Sequence, residues 1–185
     1  MAVPWVGALA RRLRTLRTMS GWAWSALGTP VAQGSMRAFQ HKTTKAVIVT
    51  DSKKSLRPWR QAMTATALGA GPCLEGPVAV RLIFTVPRAK SAKKTDLVPY
   101  RATGDLDKEC RAALDAVVDA GLLRNDAQVA EFTRLAKCYP GRYDEEALPV
   151  PGVVMAAVEM VGTFSDDLRY LVHDELANVW ARVPA

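Results

Sequence analysis

The chain has 185 residues, 49% of them hydrophobic, which is enough for one substantial core and too few to give two independent domains a good core each. Its three cysteines, Cys73, Cys110 and Cys138, are odd in number, far apart and in no CxxC pair, which argues against a disulfide scaffold and a thiolate zinc site and for a reducing compartment. The formal charge of +7 comes from the first fifty residues, where Arg11, Arg12, Arg14, Arg17, Arg37, Lys42 and Lys45 meet no acid, an excess that attracts polyanions such as nucleic acid or an anionic membrane surface.

In chain order, Val6, Leu9, Leu13 and Leu16 recur at helical spacing between arginines, so residues 5 to 18 read as a short basic amphipathic helix. The same stretch has the composition of a transit peptide, and it also reads as an extension before an internal start at Met19. No segment approaches the roughly 18 uninterrupted apolar residues of a membrane span. Residues 21 to 27 (GWAWSAL) predict a first strand, and Gly28 to Ser35 (GTPVAQGS) a turn-rich loop. A second strand follows at Ala46 to Thr50. A helix is expected from Ser52 or Ser55 to Ala67, with Gly69, Gly71 and Pro72 ending it. The run PVAVRLIFTV, Pro77 to Val86, is apolar without alternation and predicts the middle strand of the sheet.

Residues 87 to 104 carry Arg88, Lys90, Lys93, Lys94 and Arg101 against Asp96 alone, and read as a mobile basic loop. A helix is expected over Asp107 to Asp119, with Leu106, Cys110, Leu114 and Val117 or Val118 inward and Gly121 as its stop. Strands at Val129 to Lys137 and Val153 to Val161 come next. A last helix capped by Ser165 carries the stripe Leu168, Leu171, Val172, Leu176 and Val179. Together these elements predict an α+β fold, one mixed sheet of about four to five strands packed with helices.

Neither His41 nor His173 has metal-ligand spacing, and no GxGxxG, P-loop or GxSxG occurs, so aspartate is the residue type left to carry chemistry. Asp105 and Asp107 (GDLDKECR) stand two apart where a helix begins, and in extended backbone such residues face one way. Asp126, in Asn125-Asp126-Ala127-Gln128, follows Asp107 by nineteen residues, and a short turn after the helix would let it return beside the pair. Taken alone, Asp105 reads equally as a helix cap, Asp107 as a first-turn acid and Asp126 as a turn residue.

The stretch Asp105 to Val129 (DLDKECRAALDAVVDAGLLRNDAQV) resembles the core motif of the RusA-like Holliday junction resolvases, and the likeness extends through Gly28-Thr29-Pro30, Gln33-Gly34-Ser35, Arg37, the Lys54 to Trp59 helix start and the Pro77 to Val86 strand. It covers roughly residues 21 to 161. Two positions depart from the family pattern: Lys108 stands where asparagine is usual, and Asn125 where a first aspartate is usual.

The resemblance implies a RusA-like endonuclease domain over 21–162, with a basic extension over 1–20 and a helical one over 163–185. It implies paired, metal-dependent hydrolysis of four-way DNA junctions by a homodimer in the cytoplasm of a bacterial or phage-infected cell. Asp105, Asp107 and Asp126 would hold one or two Mg²⁺, with Mn²⁺ substituting, because oxygen donors suit these hard ions. Arg111, one turn beyond Asp107, would offset phosphate charge, or simply pair with Asp107. Lys90, Lys93, Lys94, Arg101, Lys108 and Arg37 would contact DNA, and Trp59 or Tyr100 would stack on an unpaired base unless they belong to the core. A less selective Mg²⁺ nuclease acting on flaps or duplex, and a DNA-binding module without catalysis, are the alternatives.

Overall fold

The structure, a computed structural model, describes residues 20–34, 36–51, 53–93, 96, 98–99, 104–141, 146–160 and 166–181; of residues 36, 37, 49–51 and 166–172 it describes the backbone alone. The basic helix expected over 5–18 and the Ser165 cap lie outside the described residues.

Strand β1 (Gly21–Leu27) alternates, with Trp22, Trp24 and Ala26 fully buried on one face and Gly21, Ala23 and Ser25 only partly covered on the other, the period-two pattern of a strand at the edge of a sheet. Strand β4 (Val78–Thr85) is buried at every position except Arg81, as a strand covered on both faces must be. Strands β5 (Val129–Cys138) and β6 (Gly152–Glu159) complete a sheet of order β1-β6-β4-β5, in which only β4 and β5 run parallel. The expected mixed α+β sheet is therefore observed, with Pro77 to Val86 supplying an interior strand.

Helix α1 (Leu56–Ala67) turns Leu56, Trp59, Met63 and Ala67 inward at three- and four-residue spacing. Helix α2 (Leu106–Asp119) lies beside it on the same face of the sheet and buries Cys110, Ala112, Ala113, Ala116 and Val117. Its inward stripe contains more alanine than the expected Leu and Val positions, so its backbone can approach its neighbours closely. Gly121, at φ +74°, ends it in the left-handed conformation that glycine adopts without strain. Arg60 of α1 ties the two helices by pairing with Asp115 at 3.3 Å and Asp119 at 2.7 Å. On the opposite face, Leu176 and Val179 of helix α3 (Asp166–Trp180) pack on Ala79, Ala156, Val158 and Met160. Among the described residues no helix is long and apolar enough to cross a membrane.

Two features differ from the sequence reading. The strand expected near Ala46 is half of a hairpin, β2 (Met36–Gln40) paired antiparallel with β3 (Val47–Asp51) as a separate two-stranded sheet. The described part of the basic segment after β4 has local contacts that the sequence reading did not foresee. The Arg88 guanidinium lies 4.0 Å over the Tyr139 ring and donates to the Lys93 carbonyl at 2.8 Å, while the Asp96 carboxylate accepts the Lys93 N–H at 2.9 Å. One arginine and one aspartate thus fold the segment back on itself.

Candidate active site

Asp105 is the residue before α2, with extended backbone at φ −68° and ψ 135°, and Asp107 lies in the first helical turn. The Asp105 side chain makes no capping hydrogen bond to the helix amides. It is turned outward, 65% exposed, and its Oδ2 accepts from Lys108 Nζ at 2.6 Å. The Lys108 hydrogen bond and charge hold the Asp105 carboxyl below its usual range, with smaller pulls from Lys137 and Lys53. Lys108 is raised in return, chiefly by its bond to Asp105. Asp107 is also exposed, as is Arg111 one turn later, and among the described residues Arg111 forms no ion pair with Asp107.

Beneath this pair sits a residue that the sequence reading passed over. Glu109 is 1% exposed, on the inward stripe between Leu106 and Cys110. Burial pushes its carboxyl up to about 7, against the opposing pull of Lys137, Lys53 and the Gly104 N–H that it accepts. Its Oε2 has no hydrogen-bond partner. Lys137, near the end of β5, donates to the Gly104 carbonyl at 2.6 Å. Gly104, the residue just ahead of Asp105, is therefore gripped on its N–H by Glu109 and on its C=O by Lys137. Glycine is required there because a Cβ would stand 2.5 Å from Ala32 Cβ and 2.6 Å from Glu109 Oε1. The loop before the hairpin closes the arrangement. Gln33 N–H donates to the Lys108 carbonyl at 3.0 Å, and Thr29 to Ala32 line a cavity of about 350 Å³ with Lys53, Ser55, Gly104 and Glu109.

Asp126 does not join Asp105 and Asp107 within the chain, contrary to the convergence expected from spacing. It is exposed at the other end of α2, in a recess of about 210 Å³ with Asp115, Asp119, Arg60 and Asn125. Twelve helical residues separate Asp107 from Asp119, about 18 Å at 1.5 Å per residue. The return run along the helix is β5 itself, and it starts after Asp126; the residue it delivers to Asp105 is Lys137. Asp126 is held where it is by its neighbours. Asn125 Oδ1 accepts the Ala127 N–H at 2.8 Å. Gln128 accepts the Arg124 and Asn125 N–H groups and donates at 2.9 Å to the carbonyls of both Leu74 and Gly76.

The profile of the endodeoxyribonuclease RusA family matches residues 28–143, a span that contains the Asp105 pair, Arg111, Asp126 and Lys137. The chain belongs to that family. No curated protein matches it in sequence comparison. The matched span takes in β2 to β5, α1 and α2, whereas β1, β6 and α3 of this RusA-family chain fall outside it.

Among the described residues no three of His, Cys, Asp and Glu gather closely enough to cage a metal ion. Asp105 and Asp107 fit a more open site. Mg²⁺ keeps several waters and is commonly held by one or two carboxylates plus substrate phosphate. The other residues expected to touch DNA are dispersed. Lys90 and Lys93 are exposed on the segment after β4, Lys108 is engaged with Asp105, and Arg37 is on β2 with its side chain outside the described set. Lys94, Arg101 and Tyr100 lie outside the described residues. Trp59 is not a stacking platform: it is 6% exposed and its ring abuts Gly28.

Proposed function

We propose that the chain is a Mg²⁺-dependent endodeoxyribonuclease that resolves four-way DNA junctions as a homodimer. The observation that carries this reading is the outward-turned Asp105 and Asp107 pair at the start of α2, in a chain of the endodeoxyribonuclease RusA family. Asp105 and Asp107 would hold Mg²⁺, or Mn²⁺ with the same donors, and the ion would supply a water of lowered pKa and Lewis acidity at the phosphate. Arg111, one turn along and free of Asp107, is suited to offset the charge that grows on the phosphate. Glu109 and Lys137 fix the peptide from which Asp105 projects. Lys90, Lys93 and Lys94, with Arg101 and Arg37, supply cations for the DNA backbone.

Asp126 enters this reading across two copies. If two α2 helices lie antiparallel about a two-fold axis, the end of one bearing Asp126 meets the end of the other bearing Asp105 and Asp107. The third carboxylate then arrives from the second copy, and two such sites related by symmetry suit the paired strands of a junction.

The test is cleavage of a labelled four-way junction beside matched duplex and flap DNA, in Mg²⁺ or EDTA, by the wild type and Asp107→Asn. Paired nicks confined to the junction, dependent on metal and absent from the variant, are expected. Equal cutting of all three substrates would move the reading to a less selective nuclease. A second reading, DNA binding without cleavage, is favoured by one observation: the Lys108 ammonium already occupies the Asp105 carboxylate. Folded protein that binds the junction tightly and cuts nothing in either Mg²⁺ or Mn²⁺ would establish it.

A further inference from the structure

We propose that the β2–β3 hairpin is an arm that grips the DNA entering the site, with Lys42 and Lys45 on phosphates and Phe39 against a base exposed at the branch. This inference rests on the reading of the chain as a DNA-cleaving enzyme.

The hairpin forms a sheet of its own, and among the described residues its strands pack extensively only on each other. Phe39 is 51% exposed and Val47 70% exposed. In the register Phe39 pairs with Ile48 and Gln40 with Val47, so the two exposed apolar side chains stand on opposite faces, and near the tip each face presents an exposed apolar group. A two-stranded ribbon with exposed apolar side chains on both faces is marginal in water by itself, which points to a partner that orders it. The partner is anionic by charge complementarity, because the hairpin from Met36 to Asp51 holds Arg37, Lys42 and Lys45 against Asp51 alone, and both lysines are at the tip, away from that acid.

The tip is built to hold its shape. His41 N–H donates to the Ala46 carbonyl at 2.8 Å, and Lys45 N–H to the His41 carbonyl at 3.0 Å. The Thr44 N–H donates to His41 Nδ1 at 3.2 Å, and the Gln40 amide donates to the Lys45 carbonyl at 3.1 Å. Lys45 takes a left-handed φ of 56°, which this set of bonds maintains in a residue other than glycine. Two exposed lysines are thereby presented on a fixed turn.

The base of the arm identifies its cargo. The entering strand follows the loop whose Gln33 bonds to Lys108, and the leaving strand is followed by Lys53, whose charge acts on Asp105. Both stems therefore start near the Asp105 pair, and five residues per strand give the arm a length of about 17 Å. DNA lying with a phosphate at Asp105 runs along such an arm.

The experiment measures binding of a fluorescent four-way junction to the full chain in EDTA, between 50 and 200 mM salt. Removing two phosphate contacts in Lys42→Ala/Lys45→Ala is expected to lower the slope of log affinity against log salt by about 1.8, so the loss of affinity across that salt range shrinks about tenfold. Phe39→Ala is expected to weaken binding at least about fivefold with the slope unchanged, because the lost contact is not ionic. These side chains are exposed, and a far-ultraviolet circular dichroism melt matching the wild type verifies that each variant folds. Wild-type binding with slope and affinity unaltered in the variants overturns the arm while leaving the nuclease reading intact. No binding by the folded wild type overturns both. A shift of solution mass in Phe39→Ala without a change in DNA affinity assigns the arm to a second copy of the chain and also overturns the proposal.

Discussion

Lys108 is the residue whose chemistry matters most for the candidate site, because its ammonium and a divalent ion compete for one carboxylate. The pair is exposed, so its contribution to stability is small, but a cation bound by Asp105 competes with it for Oδ2 and for the same negative charge. Lys108→Asn is therefore expected to raise Mn²⁺ affinity by about two- to fivefold with little change in thermal stability, as read by calorimetric titration. Glu109 poses a different problem, because its carboxyl is near 7 when folded and near 4.5 when unfolded. The folded chain binds that proton more tightly. Its contribution to stability, about 3 kcal/mol, is complete below pH 4.5 and is lost as pH rises through 7. Urea unfolding at pH 5 and pH 8 should show this fall in the wild type and a flatter profile in Glu109→Gln. A signal for Glu109 was present in the sequence: an acid between Leu106 and Cys110 stands on the stripe that helical spacing turns inward. Lys137 gave no such signal, since its approach to Gly104 depends on where β5 ends.

Elements were legible where burial imposed a period. The alternation of β1, the unbroken apolar run of β4 and the glycine stop of α2 are each local consequences of packing, and each is observed close to its expected bounds. The hairpin strand β2 escaped because Ala38, Phe39 and Gln40 are all exposed, and without a buried alternation the stretch Met36–Gln40 carries no pattern. The position of Asp126 escaped for another reason. A count of nineteen residues gives contour length but not direction, and the chain reverses only after the Asn125 to Gln128 turn. That turn is an element in its own right, with Gln128 making four hydrogen bonds to backbone groups. Gln128→Ala should lower unfolding free energy by roughly 2 to 3 kcal/mol, since the loss leaves several half-buried groups unpaired. Denaturant titration would measure it.

At the scale of the whole molecule, the separation of Asp126 from Asp105 and Asp107 makes the subunit arrangement testable without a structure of the dimer. Asp107→Asn and Asp126→Asn should each be inactive alone. Mixed and allowed to exchange subunits, they should recover junction nicking to about a quarter to a half of the wild-type rate if a site draws on two copies, because one site of each mixed dimer then keeps all its carboxylates. Failure of the mixture to regain activity would return Asp126 to its own chain or to a structural role.

The sheet joins its first strand to its last: β1 pairs with β6 through seven residues, from Gly21 with Val158 to Leu27 with Gly152. A chain leaving the ribosome therefore displays Trp22 and Trp24 long before Ala157 and Met155 exist to receive them. Closure of the sheet must wait for nearly the entire domain to be synthesised, and until then the two tryptophans have no strand to pair against.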